Sequence, residues 1–219
     1  MSQTSSTDLA ALLCSRLCHD LLSPVGALSN GLELLADETD PEMRERCIEL
    51  LEQSAKKSAD KLKFFRLAFG AAGGFGEAVP VEEAQNVIDA LASGGKPIDL
   101  NWAIEESSLP KPAVKVMLNL ASIALDALIR GGRLDIGAEC RDAKIEIVVR
   151  ASGVRIAFDD AIGQALQGDL SESDLSSRTA AAHMIALVAE QSGGSLQYKA
   201  DDKTLVLGAI LPQPAGMIG

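Results

Sequence analysis

His19 is one of only two histidines in this 219-residue chain, and it is followed at once by Asp20 and five residues later by Pro24. Free imidazole has a pKa near 6.5, so at neutral pH it is mostly uncharged and keeps a nucleophilic lone pair. The surrounding stretch, Leu12–Leu35, has apolar residues at Leu13, Leu17, Leu21, Val25, Leu28, Leu32 and Leu35. Alternating steps of three and four mark one buried face of a helix. At about 100° per residue, His19 lies roughly 200° around from both Leu17 and Leu21, and so points away from that face. Ser15, Arg16, Ser23, Gly26 and Asn30 share its side, leaving a polar, small-residue surface that a second protein can approach. Pro24 adds a defect, since it cannot donate to the carbonyl of Asp20. In an exposed helix interior that costs about 3 kcal/mol, a cost that points to a use.

Other reactive residues carry less. Cys14 and Cys18 lie one helical turn apart beside His19, but no other Cys/His pair has ligand spacing, so they are expected to be small packing residues and no metal site is expected. Cys47 and Cys140 complete the set; no disulfide framework is visible, and all four are expected as reduced thiols. His183 is expected to be a packing or surface residue.

The element that holds His19 is expected to run from a cap at Thr7 or Asp8 to about Ala36, after a frayed tail at 1–7. Asp40 and Pro41 then read as the cap and first residue of a second helix, reaching Phe69. Its second half carries Lys56, Lys57, Lys61, Lys63 and Arg66, expected as a solvated face. Two long helices joined by a short turn make an antiparallel hairpin, which cannot bury both of its seams alone. Two such hairpins pairing into a four-helix bundle solve this, so a homodimer is expected. Residues 8–70 form this first domain, and the glycine-dense run 71–76 is expected to be a linker.

From 77 to 212 the element types alternate. Helices are expected over Val81–Leu91, Ala113–Ile129, Ala157–Gln167 and Ser176–Ser192, and extended segments over Pro97–Ile104, Arg133–Ala138, Ala143–Ala151, Ser195–Lys199 and Thr204–Leu211. Gly131-Gly132 and Gly193-Gly194 act as helix stops, and residues 213–219 as a tail. Strands grouped between helices give a two-layer sandwich, and the whole chain an α+β fold.

Composition narrows the classes. The net charge is −11, with 11 acids and 8 bases in residues 1–76 and 20 acids and 12 bases in 77–219. Neither part resembles a nucleic-acid surface or a polybasic membrane anchor. No run of 18 apolar residues and no signal peptide is visible, and a cytoplasmic location is expected. Aromatic residues are only 3% of the chain, so the core must be built from aliphatic side chains.

The run His19-Asp-Leu-Leu-Ser-Pro24 resembles the H-box of two-component histidine kinases and phosphotransferases, in which the histidine is phosphorylated. The second domain resembles the ATP-binding domain of those kinases, the GHKL or Bergerat fold. Val116–Gly132 follows the N-box helix, Ala151–Ile156 occupies the place of the Asp-x-Gly-x-Gly box, and Ser177–Gly194 that of the last glycine box. The nucleotide ligands are replaced: by Ile123 for the asparagine that holds Mg²⁺, by Ala151 for the adenine-binding aspartate, by Arg155 for a glycine, and by Thr179-Ala180-Ala181 for the phosphate turn. Phosphoryl transfer from ATP needs all of these.

Together with Gly31–Leu35 and Arg66–Ala71, these boxes make residues 8–212 similar to the ChpT-type histidine phosphotransferases of alphaproteobacteria, with a kinase-like dimerisation domain and a degenerate ATPase-like domain. The resemblance implies that His19 shuttles a phosphoryl group between receiver-domain aspartates without ATP, with Asp20 orienting the ring. Ser15, Arg16, Leu22, Ser23, Gly26, Ala27 and Asn30 are then the receiver contacts, and the chain binds no cofactor or metal because the receiver supplies Mg²⁺. The implied partners are the receiver of a hybrid histidine kinase as donor and cell-cycle response regulators as acceptors. A dimeric adaptor or inhibitor that binds receivers or kinases without phosphoryl transfer is the alternative reading.

Overall fold

A computed structural model describes residues 5–70 and 77–213. The expected linker 71–76, and the ends of the chain at 1–4 and 214–219, lie outside the described residues. Two long antiparallel helices open the structure, α1 (Ser6–Asp37) and α2 (Pro41–Phe69). α1 starts slightly earlier than expected: the Oγ of Ser5 accepts from the backbone N–H of Asp8, so Ser6 and Thr7 belong to the helix and not to a tail. Asp40 caps α2 by accepting from the Glu42 N–H at 2.9 Å, and Pro41 fills the first helical position as expected. Arg44 closes the turn, donating to the carbonyls of Leu35 and Glu38 left open at the end of α1.

The remainder is a sheet covered on one face by helices. In chain order it comprises β1 (Ala78–Pro80), α3 (Val81–Ala92), β2 (Ile98–Ile104), β3 (Ser108–Pro110), α4 (Lys111–Ala127), β4 (Gly132–Arg141), β5 (Lys144–Ser152), α5 (Asp160–Gln167), α6 (Ala180–Gln191), β6 (Ser195–Ala200) and β7 (Thr204–Pro212). The main sheet has the order β2-β4-β5-β7-β6, with β2 parallel to β4 and the other pairs antiparallel. On β5, Ile145, Ile147, Val149 and Ala151 are buried under α4, while Lys144, Glu146, Val148 and Arg150 face out. That alternation is the signature of a half-covered sheet. The α+β architecture is the expected one.

Three helix boundaries are corrected. α4 ends at Ala127, short of Ile129. The two glycines beyond it serve a different need, because they hold φ values of +80° and +141°. A Cβ on Gly131 would strike the Pro97 carbonyl, and one on Gly132 the Ser152 carbonyl. α5 starts at Asp160 behind an Asp159 cap, and α6 at Ala180. The antiparallel pair β1–β3 was not expected; it ties the entry of α3 to that of α4.

The hairpin and the sandwich share one core. Phe64, Phe65, Leu67 and Ala68 near the end of α2 are buried in the same cluster as Ile88 of α3 and Met117 and Leu118 of α4. The base of the hairpin is therefore gripped by α3 and α4, while α1 touches α6. The apolar stripe of α1 divides. Leu13, Leu17, Leu21, Leu28 and Leu35 are half-buried, but Val25 and Leu32 remain exposed, as do Ile48, Leu50 and Leu62 on α2.

Candidate functional site

His19 projects from the middle of α1 with 86% of its side chain exposed, as its position around the helix requires. Asp20 Oδ1 lies 3.4 Å from His19 Nδ1. The carboxylate's other oxygen, Oδ2, faces Arg16 Nε at 3.9 Å. Asp20 thus stands between an imidazole and a guanidinium, with the imidazole's Nε2 edge left for an incoming group.

The backbone under this pair is built around Pro24. With no N–H on Pro24, the Asp20 carbonyl loses its helical donor. Lys61 of α2 fills the gap, its Nζ donating to that carbonyl at 2.8 Å. Pro24 itself is buried. Two turns further, Gly31 is also buried, and a Cβ there would sit 2.9 Å from Leu51 Cδ2, so the helices approach closely at that level.

The surface C-terminal to His19 is open and built of small side chains. Leu22 is 71% exposed, and Ser23 and Asn30 are exposed. Gly26 and Ala27 are half-buried, and nothing lies within 4 Å of where a Gly26 Cβ would be. Ser15 is exposed on the other side of His19. Arg16 is placed differently from the outward contact that its helical position implied. Its side chain is only 18% exposed and turns toward the sandwich, reaching Asp126 at 3.4 Å and donating to the Arg178 carbonyl at 3.3 Å. Cys14 and Cys18 are exposed rather than packed.

Below His19, where the hairpin meets α3 and α4, lies a cavity of about 230 Å³. Arg16, Asp20, Lys61, Lys96 and Asp126 line it above an apolar floor that includes Phe64 and Leu125. Asp126 looks into this space. Water reaches its carboxylate, yet the surrounding protein thins its hydration and pushes its pKa up. Asp20 adds to that rise, while Arg16, Lys96 and Lys61 oppose it. Lys61 and Asp126 were not singled out from sequence. The signal for Lys61 was present: a proline that orphans a carbonyl demands a donor, and the basic half of α2 runs alongside.

In the sandwich, the positions that resemble nucleotide boxes are filled or stitched shut. Ile123 and Ala151 belong to the aliphatic core, and Ala180 and Ala181 are buried at the start of α6, which packs on α4. After β5 the chain is tied down by backbone hydrogen bonds: Gly153 N–H to the Lys203 carbonyl, Ile156 N–H to that of Asp202, and Ala157 N–H to that of Ala127. Arg155 is exposed. Among the described residues no group of three or more His, Cys, Asp or Glu side chains is arranged to hold a metal ion, and no helix is long and apolar enough to cross a membrane.

Comparison with known proteins gives three findings. Residues 81–204 match the model of the histidine phosphotransferase C-terminal domain. The chain is 34% identical over 205 residues to the protein phosphotransferase ChpT of Brucella abortus (strain 2308), covering 94% of this chain and 96% of that one. Among solved structures, a bacterial phosphotransferase superposes with a TM-score of 0.82 at 32% identity, covering 95% of this chain and 98% of the other. The histidine kinase domain of the blue-light activated kinase of Erythrobacter litoralis EL346 shares the fold, at 12% identity with a TM-score of 0.50 over 86% of this chain and 95% of its own.

Proposed function

Since the chain belongs to the histidine phosphotransferase family, we propose that it relays phosphoryl groups between receiver-domain aspartates through a phosphohistidine at His19, without using ATP. The observation that carries this reading is the exposed imidazole of His19 with the Asp20 carboxylate at its Nδ1. A carboxylate in that place accepts a proton-bearing Nδ1, which fixes the tautomer whose lone pair is on Nε2. Nε2 attacks the phosphorus of the receiver's aspartyl phosphate in line. The N–P bond forms as the P–O bond to the aspartate breaks, and the electron pair leaves on the receiver's carboxylate. The ring becomes cationic while Nδ1 keeps its proton, and Asp20 offsets that charge. Transfer to a second receiver runs the same steps in reverse.

The divalent cation that screens the phosphoryl oxygens belongs to the receiver. Ser15, Leu22, Ser23, Gly26, Ala27 and Asn30 form the receiver-facing surface, because small side chains around His19 let the partner's loops come near. The donor is the receiver of a hybrid histidine kinase, and the acceptors are response regulators.

ATP independence is supported by the filled boxes. Metal-assisted transfer from a nucleotide needs a ligated cation and backbone close to the phosphates. Ile123, Ala151 and the buried alanines of α6 offer neither. Homodimerisation through the hairpin is supported by the exposed Val25, Leu32, Ile48, Leu50 and Leu62, a stripe too apolar to leave in water. The test is to incubate the protein separately with γ-labelled ATP and with a receiver charged by labelled acetyl phosphate. Acid-labile label on His19 from the receiver alone supports the proposal; label from ATP overturns it.

A further inference from the structure

We propose that Lys61 is a positioning residue for His19, holding the Asp20–Pro24 turn through the carbonyl that Pro24 leaves without a helical donor. The inference rests on His19 being the phosphoryl carrier. Its geometry is a chain of three contacts. Lys61 Nζ holds the Asp20 backbone at 2.8 Å, Asp20 Oδ1 faces His19 Nδ1, and Asp20 Oδ2 faces Arg16.

The physical case begins with Pro24. An orphaned, partly buried carbonyl is destabilising unless another donor reaches it. A water could serve, but it would leave the turn free to shift. An ammonium on the facing helix satisfies the carbonyl and also fixes the register of α1 against α2 at the level of His19. Charge-assisted hydrogen bonds are the stronger kind, and this one spans 41 residues of sequence. The other basic residues of this half of α2 are differently placed: Lys56 and Lys63 pair with Asp60, and Lys57 and Arg66 are exposed. Lys61 alone among these lysines is directed at the backbone of the histidine's own turn. Because Asp20 orients the imidazole, a loosened Asp20 backbone lets the ring leave the geometry in which Nε2 faces outward.

The test uses the full chain and a small-molecule donor, phosphoramidate, so that receiver docking does not enter. An imidazole nitrogen of His19 takes the phosphoryl group, and the P–N bond of the donor breaks with loss of ammonia. Phosphohistidine is followed by ³¹P NMR for the parent, Lys61→Met, Lys61→Arg, Pro24→Ala and the double variant Pro24→Ala/Lys61→Met, with Lys57→Met and His19→Asn as controls. Lys61→Met is expected to slow the reaction by about fivefold or more, Lys57→Met to leave it unchanged, and Lys61→Arg to restore most of the rate. In the Pro24→Ala background the Asp20 carbonyl regains its helical donor, so adding Lys61→Met should have little further effect. A Lys61→Met rate equal to the parent's, or a loss undiminished in the Pro24→Ala background, overturns the inference. Relay of phosphoryl groups from a charged receiver that persists in His19→Asn overturns the functional reading beneath it instead.

Discussion

Arg16 on α1 reaches Asp126 near the end of α4, with 3.4 Å between guanidinium and carboxylate. The helix that carries His19 is thereby tied to α4 of the sandwich. The same guanidinium also donates to the Arg178 carbonyl just ahead of α6, so one side chain spans hairpin and sandwich.

This bridge has a pH signature. The Asp126 carboxyl titrates above its ordinary value of 3.8, chiefly through desolvation. The folded state then binds that proton more tightly than the unfolded chain, so Asp126 makes stability fall as pH rises from 3.8 through its folded pKa. Asp126→Asn should remove this slope. Because Arg16 is the main group opposing the rise, Arg16→Ala should push the Asp126 pKa higher still, as read by carboxyl ¹³C NMR. An unchanged titration in Arg16→Ala would show that the bridge does not form.

The exposed stripe of the hairpin gives a second expectation. Leu32 is 59% exposed, and Val25, Ile48 and Leu50 are exposed with it on the two helices of the hairpin. Leu32→Glu should shift the sedimentation coefficient of the protein from dimer to monomer while leaving its far-ultraviolet circular dichroism intact. A parent protein that sediments as a monomer at micromolar concentration would contradict the dimer.

The turn between β4 and β5 can be improved. Asp142 and Ala143 form a two-residue loop with φ of 51° and 57°. Hairpins of this kind favour positive φ at both positions, and glycine adopts it without the strain that a Cβ brings. Ala143→Gly should therefore stabilise the fold by about 1 kcal/mol, seen as a higher midpoint in urea. A lower midpoint would mean that the loop is not strained at Ala143.

Thiol reactivity should separate the cysteines. The Cys140 thiol is pushed up to about 11 by burial and by Glu106 beside it, so it stays protonated at pH 8 and reacts poorly. Cys14 and Cys18 are exposed. Iodoacetamide at pH 8 should modify Cys14 and Cys18 first by peptide mass mapping, and Glu106→Gln should speed the reaction at Cys140. Early labelling of Cys140 in the parent would refute this.

Local signals in the sequence revealed most of the fold. Asp40-Pro41 and Gly193-Gly194 mark breaks that the structure keeps, and the outward azimuth of His19 follows from helical period alone. The short pair β1–β3 was illegible because three residues are too few to show a period, and its partners lie thirty residues apart. The start of α1 was ambiguous within a run of serines and threonines, any of which can cap. Periodicity placed Leu32 and Leu13 on one face, but it cannot say which part of that face meets α2 and which is left bare. Lys61 and Arg16 read as surface charges because their partners, the Asp20 carbonyl and Asp126, are 41 and 110 residues away.

The central claim is tested most directly by a two-receiver relay. A donor receiver labelled by acetyl phosphate and then freed of the reagent is mixed with an unlabelled acceptor receiver, with and without the protein, and label on the acceptor is followed over time. Label should reach the acceptor quickly with the parent protein and not above background with His19→Asn, while far-ultraviolet circular dichroism shows both folded alike. Equal relay by the two proteins would contradict phosphoryl transfer through His19.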